Sequence, residues 1–168
     1  KVVSPGVGSF GDAMENLHHF GLVPVIHQVV QEQTPFLGIC LGLQLLFEKS
    51  EESPGVEGLG ILKGEILRIP AAEGLKIPHM GWNNIRFPNK GRLFAGVPED
   101  AYVYFVHSYY LKAQDEKIVT ATTEYGTHIH ASVESGNLFA CQFHPEKSSH
   151  VGLQILKNFA KLEGKGGR

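Results

Sequence analysis

A short apolar run that ends on a cysteine between two glycines constrains the fold of this chain more than any other feature. Pro35-Phe36-Leu37-Gly38-Ile39 is brief and apolar throughout, as a strand buried in a parallel sheet would be. It passes directly into Cys40-Leu41-Gly42-Leu43-Gln44; residues 41–49 are helical in composition and Ser53-Pro54-Gly55 stops them. A strand that turns straight into a helix needs small residues at the corner, and Gly38 and Gly42 stand two positions either side of the thiol. Such a strained turn lifts a nucleophile above the sheet edge. The following helix would aim its positive end at the sulfur, so a lowered thiol pKa and a resting thiolate are expected. The Leu41 N–H would then face a developing oxyanion. Cys141 lies inside the apolar run 138–143 with no such turn and reads as core.

The rest of the chain fits an α/β fold. Lys1-Val2-Val3-Ser4 reads as the end of a buried strand and runs into the Gly-rich loop Pro5-Gly6-Val7-Gly8-Ser9-Phe10-Gly11. Helices are expected over 12–19 and 24–32, the second opened by Pro24. Strands are expected over 62–69, 84–87, 102–106, 118–123, 128–133 and 138–143, joined by Gly, Pro, Asn and Asp turns. Ser148 or Ser149 can cap a last helix whose stripe is Val151, Ile155, Phe159 and Leu162, and the tail 164–168 is expected to fray. Strand–helix alternation at the front implies a parallel sheet, and the strand-rich second half implies added antiparallel hairpins.

Composition narrows the function classes. The chain has 168 residues, the size of one domain, and its 42% hydrophobic against 19% charged content excludes intrinsic disorder. A net charge of −2 supplies no basic field for nucleic acid or an anionic membrane surface. No apolar stretch approaches the roughly 18–20 residues that cross a bilayer. Two cysteines cannot build a disulfide framework and no secretory signal precedes them, so a reducing, cytoplasmic setting is expected.

A thiol nucleophile needs a base held by a third group. Gln142-Phe143-His144-Pro145-Glu146 supplies both just past a strand, where the proline kink lets His144 and Glu146 meet at the sheet's carboxyl edge. The loop containing Val7 and Gly8 follows the first strand and can offer backbone N–H groups to the same oxyanion. His128-x-His130 is the nearest approach to a ligand pair among nine histidines, and no cluster has metal-ligand spacing; no cofactor is expected.

Taken together and in order, PGVGSF, GICLGLQ and QFHPEKS resemble the class I, triad-type glutamine amidotransferases over essentially the whole chain. Within that family, Pro78-His79-Met80-Gly81-Trp82-Asn83, Phe105-Val106-His107-Ser108-Tyr109 and Pro54-Gly55-Val56 resemble the branch of glutaminase subunits that serve imidazole glycerol phosphate synthesis. The resemblance implies a flavodoxin-like open sheet, parallel-rich with added hairpins and flanked by helices. It implies Cys40, His144 and Glu146 as the triad, with Val7, Gly8 and Leu41 at the oxyanion. Gly8, Gln44, Ser108 and Tyr109 would contact the glutamine substrate. Met80, Trp82, Asn83 and Lys147 would face a TIM-barrel cyclase that receives the ammonia and makes imidazole glycerol phosphate and aminoimidazole carboxamide ribotide in histidine biosynthesis. Family members begin with a further strand, Gly-rich loop and helix before the PGVG loop. On that pattern the single domain 1–168 is N-terminally truncated and is expected to fold poorly alone.

Two other functions share the same residues. A glutaminase subunit of another amidotransferase would pass its ammonia elsewhere. A cysteine hydrolase of γ-glutamyl substrates would use Cys40 and His144 with no ammonia-receiving partner.

Overall fold

The computed structural model describes residues 1–164, so the tail expected to fray lies, beyond Gly164, outside the described residues. Strand β1 (Val2–Ser4) runs parallel to β2 (Phe36–Ile39), with Val2 opposite Phe36 and Ser4 opposite Gly38. Helices α1 (Phe10–His19) and α2 (Leu22–Gln31) make the crossover between them. Ser9 caps α1 by accepting the Asp12 N–H at 3.2 Å, and Phe10 and Met14, one turn apart, face inward. Helix α2 begins before Pro24, which the first helical turn tolerates because its N–H has no intrahelical acceptor to lose. Beyond Cys40 come α3 (Leu41–Gln44) and the strands β3 (Lys49–Ser50), β4 (Gly64–Arg68) and β5 (His79–Asn84). They are followed by β6 (Tyr102–His107), β7 (Tyr109–Ala113), β8 (Val119–Glu124), β9 (His128–Ser135), β10 (Leu138–Cys141) and helix α4 (Ser149–Lys161).

The main sheet has the order β1-β2-β10-β9-β7-β4-β3, with β8 paired to β9, while β5 and β6 form a separate two-stranded sheet. It is mixed: β1, β2 and β10 are parallel, as are β3 and β4, and the other pairs are antiparallel. Alternation along β2 and β10 divides the core in two. Leu37, Ile39, Phe139 and Cys141 face one cluster with Phe105, Phe143, Ile155 and Phe159, and Cys141 is packing, as expected. Phe36, Leu138 and Ala140 face the other, with Phe10, Met14, Leu43, Leu46 and Phe47. The α4 stripe of Val151, Ile155, Phe159 and Leu162 closes the first cluster. No helix of the described residues is long and apolar enough to cross a membrane.

Three elements depart from the sequence expectation. The helix after Cys40 stops at Gln44 instead of running to residue 49. The carbonyls of Leu45, Leu46 and Phe47 accept from Leu59, Leu62 and Gly60 in the next loop, so no further helical turn can claim them. The strand expected at 84–87 lies at His79–Asn84, where β6 offers a full antiparallel register from Asn84↔Tyr102 to His79↔His107. Strand β7 was not expected as a separate element. Only Ser108 parts it from β6, with no Gly or Pro to mark the change of sheet.

The corner at Cys40 is built by close backbone approach. A Cβ on Gly38 would lie 2.6 Å from the Gly42 carbonyl oxygen, and one on Gly42 would overlap the Ser4 carbonyl oxygen at the end of β1. Neither neighbour is a flexible side chain, so Gly42→Ala must displace β1 or the corner itself. The expected loss of stability is about 1–3 kcal/mol, read from denaturant unfolding. An unchanged midpoint would show that the corner is not held by this contact.

Candidate active site

Cys40 occupies the end of β2 at φ 55° and ψ −109°, a conformation a side chain adopts only when its surroundings impose it. They do: its N–H donates to the Cys141 carbonyl at 2.8 Å, and the two glycines close the corner behind it. The sulfur is almost buried. Gln142 Nε2 donates to it at 3.6 Å, and the Leu41 N–H also points at it. Burial outweighs these donors and pushes the thiol pKa up to about 11. The expected resting thiolate is therefore corrected to a neutral thiol. A helix of four residues carries too small a dipole to offset the lost hydration.

His144 follows β10 and is pinned by its backbone. Its N–H donates to the Tyr104 carbonyl at 2.9 Å, and its own carbonyl accepts the Ser148 hydroxyl at 2.6 Å. Pro145 starts a single 3-10 turn, Pro145–Lys147, which swings Glu146 back to the ring. Glu146 Oε1 lies 2.6 Å from His144 Nδ1. A carboxylate only accepts, so Nδ1 carries the hydrogen and Nε2 keeps a lone pair. Nε2 is buried and has no hydrogen-bond partner. An unpaired buried base is expensive unless something arrives to use it.

Cys40 and His144 line one cavity of about 340 Å³, together with Val7, Gly8 and Leu41. Gly8 has φ 102°, which turns this loop back over the pocket. Gln44, Ser108, Tyr109 and Lys147 complete much of the remaining wall. Glu146 reaches the cavity only through the imidazole. Gln44 uses both Nε2 hydrogens inside the wall, on the Tyr109 carbonyl at 3.2 Å and Gln142 Oε1 at 3.0 Å, so only its Oε1 remains to accept from a ligand.

Of the four residues expected to face a partner, Met80 and Trp82 stand on the outer side of β5, 62% and 53% exposed. Trp82 meets Tyr104 edge to face at 6.1 Å, and Lys147 Nζ lies 5.9 Å from the Tyr104 ring centroid, so Lys147 joins this face to the cavity. Asn83 turns the other way, donating to His79 Nε2 at 3.3 Å and to the Glu124 carbonyl at 3.0 Å. His128 pairs with Glu124, and His130 Nδ1 accepts the Ala113 N–H at 3.0 Å. Among the described residues no group of three or more His, Cys, Asp or Glu is placed to hold a metal ion.

Sequence reasoning missed Glu52 and His107, which also line the cavity. Nothing in the sequence separates Glu52 from its neighbour Glu51, but Glu52 is half-buried and its Oε2 accepts the Phe10 N–H at 3.2 Å. His107 stands in the Phe105–Tyr109 stretch that resembles the glutaminase branch, but nothing in the sequence marks it as a residue of the cavity wall.

The family description "Glutamine amidotransferase class-I" matches residues 1–162. The chain belongs to that family. It is 56% identical over 161 residues to imidazole glycerol phosphate synthase subunit HisH of Moorella thermoacetica, covering 96% of this chain and 76% of that one. It is 51% identical over 160 residues to the HisH of Aquifex aeolicus, covering 95% and 76%. Among solved structures, PurLQS from Thermotoga maritima superposes with a TM-score of 0.68 at 22% identity, covering 95% of this chain and 78% of that one. A glutamine amidotransferase crystal structure gives 0.67 at 20% identity, covering 94% and 78%. At these identities the superpositions establish the shared amidotransferase fold.

The raised thiol pKa has a direct consequence. At pH 7.5 the two-unit rise leaves roughly 100-fold less thiolate than an ordinary cysteine has, so alkylation of Cys40 by a small uncharged reagent should be slower by about that factor. The rate should keep climbing past pH 10, because deprotonation follows the raised pKa. A rate that levels off near pH 7 would mean a thiolate at rest and contradict the burial account.

Proposed function

We propose that this amidotransferase hydrolyses glutamine to glutamate and ammonia through a thioester on Cys40. The observation that carries the reading is His144 Nε2, buried, unpaired and on the wall of the cavity that Cys40 also lines. Glutamine brings a neutral carboxamide, which suits a site that holds its nucleophile neutral. As Sγ bonds to the amide carbon, His144 Nε2 takes the thiol proton and returns it to the departing nitrogen, releasing ammonia. The oxyanion forms within reach of the Leu41 N–H and the backbone of Val7 and Gly8. His144 then takes a proton from water, whose oxygen attacks the thioester; glutamate leaves and the thiol is restored. Glu146 keeps the ring in the one tautomer that can do this and stabilises the imidazolium. Glu52 is the carboxylate of the wall, its Oε2 accepting the Phe10 N–H, and fits the substrate's α-ammonium, while Gln44 Oε1, Ser108 and Tyr109 fit its polar end.

The relatives are subunits of imidazole glycerol phosphate synthase, and on that likeness the ammonia passes to a partner, a cyclase of TIM-barrel type, which makes imidazole glycerol phosphate and aminoimidazole carboxamide ribotide in histidine biosynthesis. The exposed Met80, Trp82 and Lys147 beside the cavity support a docking face there, since an aromatic anchor on a strand beside the reaction chamber is a strong place to hold a partner. The two free thiols support a reducing, cytoplasmic setting.

The test uses the chain reconstituted with such a cyclase. Cys40→Ala should remove glutamine hydrolysis, by about 10³-fold or more, with assembly intact. Cys141→Ala should stay within a few-fold of the original. Trp82→Ala should weaken association by about 2 kcal/mol. Hydrolysis that survives Cys40→Ala, or full activity that no partner alters, would refute the reading.

A further inference from the structure

A buried run of hydrogen bonds joins the exposed strand β5 to the nucleophile, and its hub is the Tyr109 carbonyl. That oxygen accepts from His107 Nδ1 at 2.8 Å on one side and from Gln44 Nε2 at 3.2 Å on the other. A carbonyl only accepts, so His107 carries its hydrogen on Nδ1 and presents a lone pair at Nε2. His79 Nδ1 lies 3.0 Å from that lone pair and must be the donor. His79 Nε2 is then an acceptor, and Asn83 Nδ2 meets it at 3.3 Å. The Asn83 amide is itself oriented, because it also donates to the Glu124 carbonyl and its Oδ1 accepts the Asn84 N–H at 2.9 Å. On the far side of the hub, Gln44 Nε2 donates to Gln142 Oε1 at 3.0 Å and Gln142 Nε2 donates to Cys40 Sγ at 3.6 Å.

Every donor in this run has its acceptor, and none can reverse without leaving a buried polar atom unpaired. The two rings stay neutral, since burial lowers His79 to about 4 and His107 to about 3. His79 is also held in place, stacked on Tyr125 with centroids 4.0 Å apart and on Phe105 at 4.7 Å. Its neighbour Met80 points outward from the same strand. A partner that seats on Met80 and Trp82 and shifts β5 must therefore either move the Tyr109 carbonyl or break a buried hydrogen bond.

Resting on the reading of the site given above, we propose that Asn83, His79, His107, the Tyr109 carbonyl, Gln44 and Gln142 form a positioning relay that sets the Cys40 sulfur when a partner occupies the outer face of β5. The relay uses the Gln44 amide nitrogen and the Tyr109 backbone carbonyl and ends on the sulfur, which leaves Gln44 Oε1 to the ligand, so it acts on turnover more than on glutamine affinity.

The experiment measures glutamine hydrolysis in the complex with the cyclase. His79→Phe keeps the ring and its stacking but removes both nitrogens. It should lower kcat by about tenfold, within the usual range of coupling between sites, and leave KM within about twofold. Adding Asn83→Ala to it should lower kcat no further, because both cut one run. A kcat within twofold of the original, an additive double variant, or a loss confined to KM would overturn the relay. If the unaltered complex does not hydrolyse glutamine, the reading of the site fails instead. Nitrogen-15 spectra of the unaltered protein decide the matter even where a variant does not fold. Both rings should be neutral with the hydrogen on Nδ1, and both should shift when the cyclase binds. A hydrogen on Nε2 at either ring, or no response to the cyclase, would overturn it.

Discussion

Backbone crowding at one corner determines the rest of this site. Strand β2 must turn at Cys40 while the end of β1 presses on Gly42 and the Gly42 carbonyl presses on Gly38. The only conformation that fits puts Cys40 at positive φ, with its N–H still tied to β10 through the Cys141 carbonyl. The side chain then has nowhere to go but over the sheet edge. The same β10 carries the chain on to His144, so the proposed nucleophile Cys40 and the proposed base His144 are delivered by adjacent parallel strands. Their meeting at one cavity follows from the register of two strands, and flexible loops have little part in it.

Burial and reactivity oppose each other here. The sulfur sits against Gln142 and Leu41 in a shell that raises its pKa, which keeps it protonated and shielded while the pocket is empty. The counterpart is the bare Nε2 of His144, a base whose own hydrogen-bonding need is unmet. On the proposed reading, a neutral thiol and an unpaired imidazole on the wall of one cavity hold their chemistry back until a carbonyl carbon is in place. In the proposed reaction, proton transfer accompanies bond formation, and the proposed oxyanion donors act only on charge that develops in that step.

Much of this was legible in the residues. Gly38, Cys40 and Gly42 announced the corner, and His144-Pro145-Glu146 announced an imidazole paired with a carboxylate, because both depend on local backbone rules that a short motif carries whole. The amphipathic stripe of α4 was equally plain. What stayed hidden depends on distant partners. The helix after Cys40 stops early because a loop some fifteen residues on captures its carbonyls. Strands β6 and β7 part at Ser108 because they join different sheets. The sulfur's raised pKa comes from burial that no local motif encodes. His79 and His107, far apart in the chain, carried only the family resemblance of the stretches they stand in until β5 and β6 set them side by side.

The central claim is that Cys40 and no other group takes the acyl portion of glutamine. Mixing the assembled protein with glutamine, quenching in acid within one turnover, and locating the adduct by peptide mass tests it directly. The account predicts a γ-glutamyl thioester on the peptide containing Cys40, absent when His144 is replaced by alanine. An adduct on Cys141, or rapid hydrolysis with no adduct on either cysteine, would contradict it.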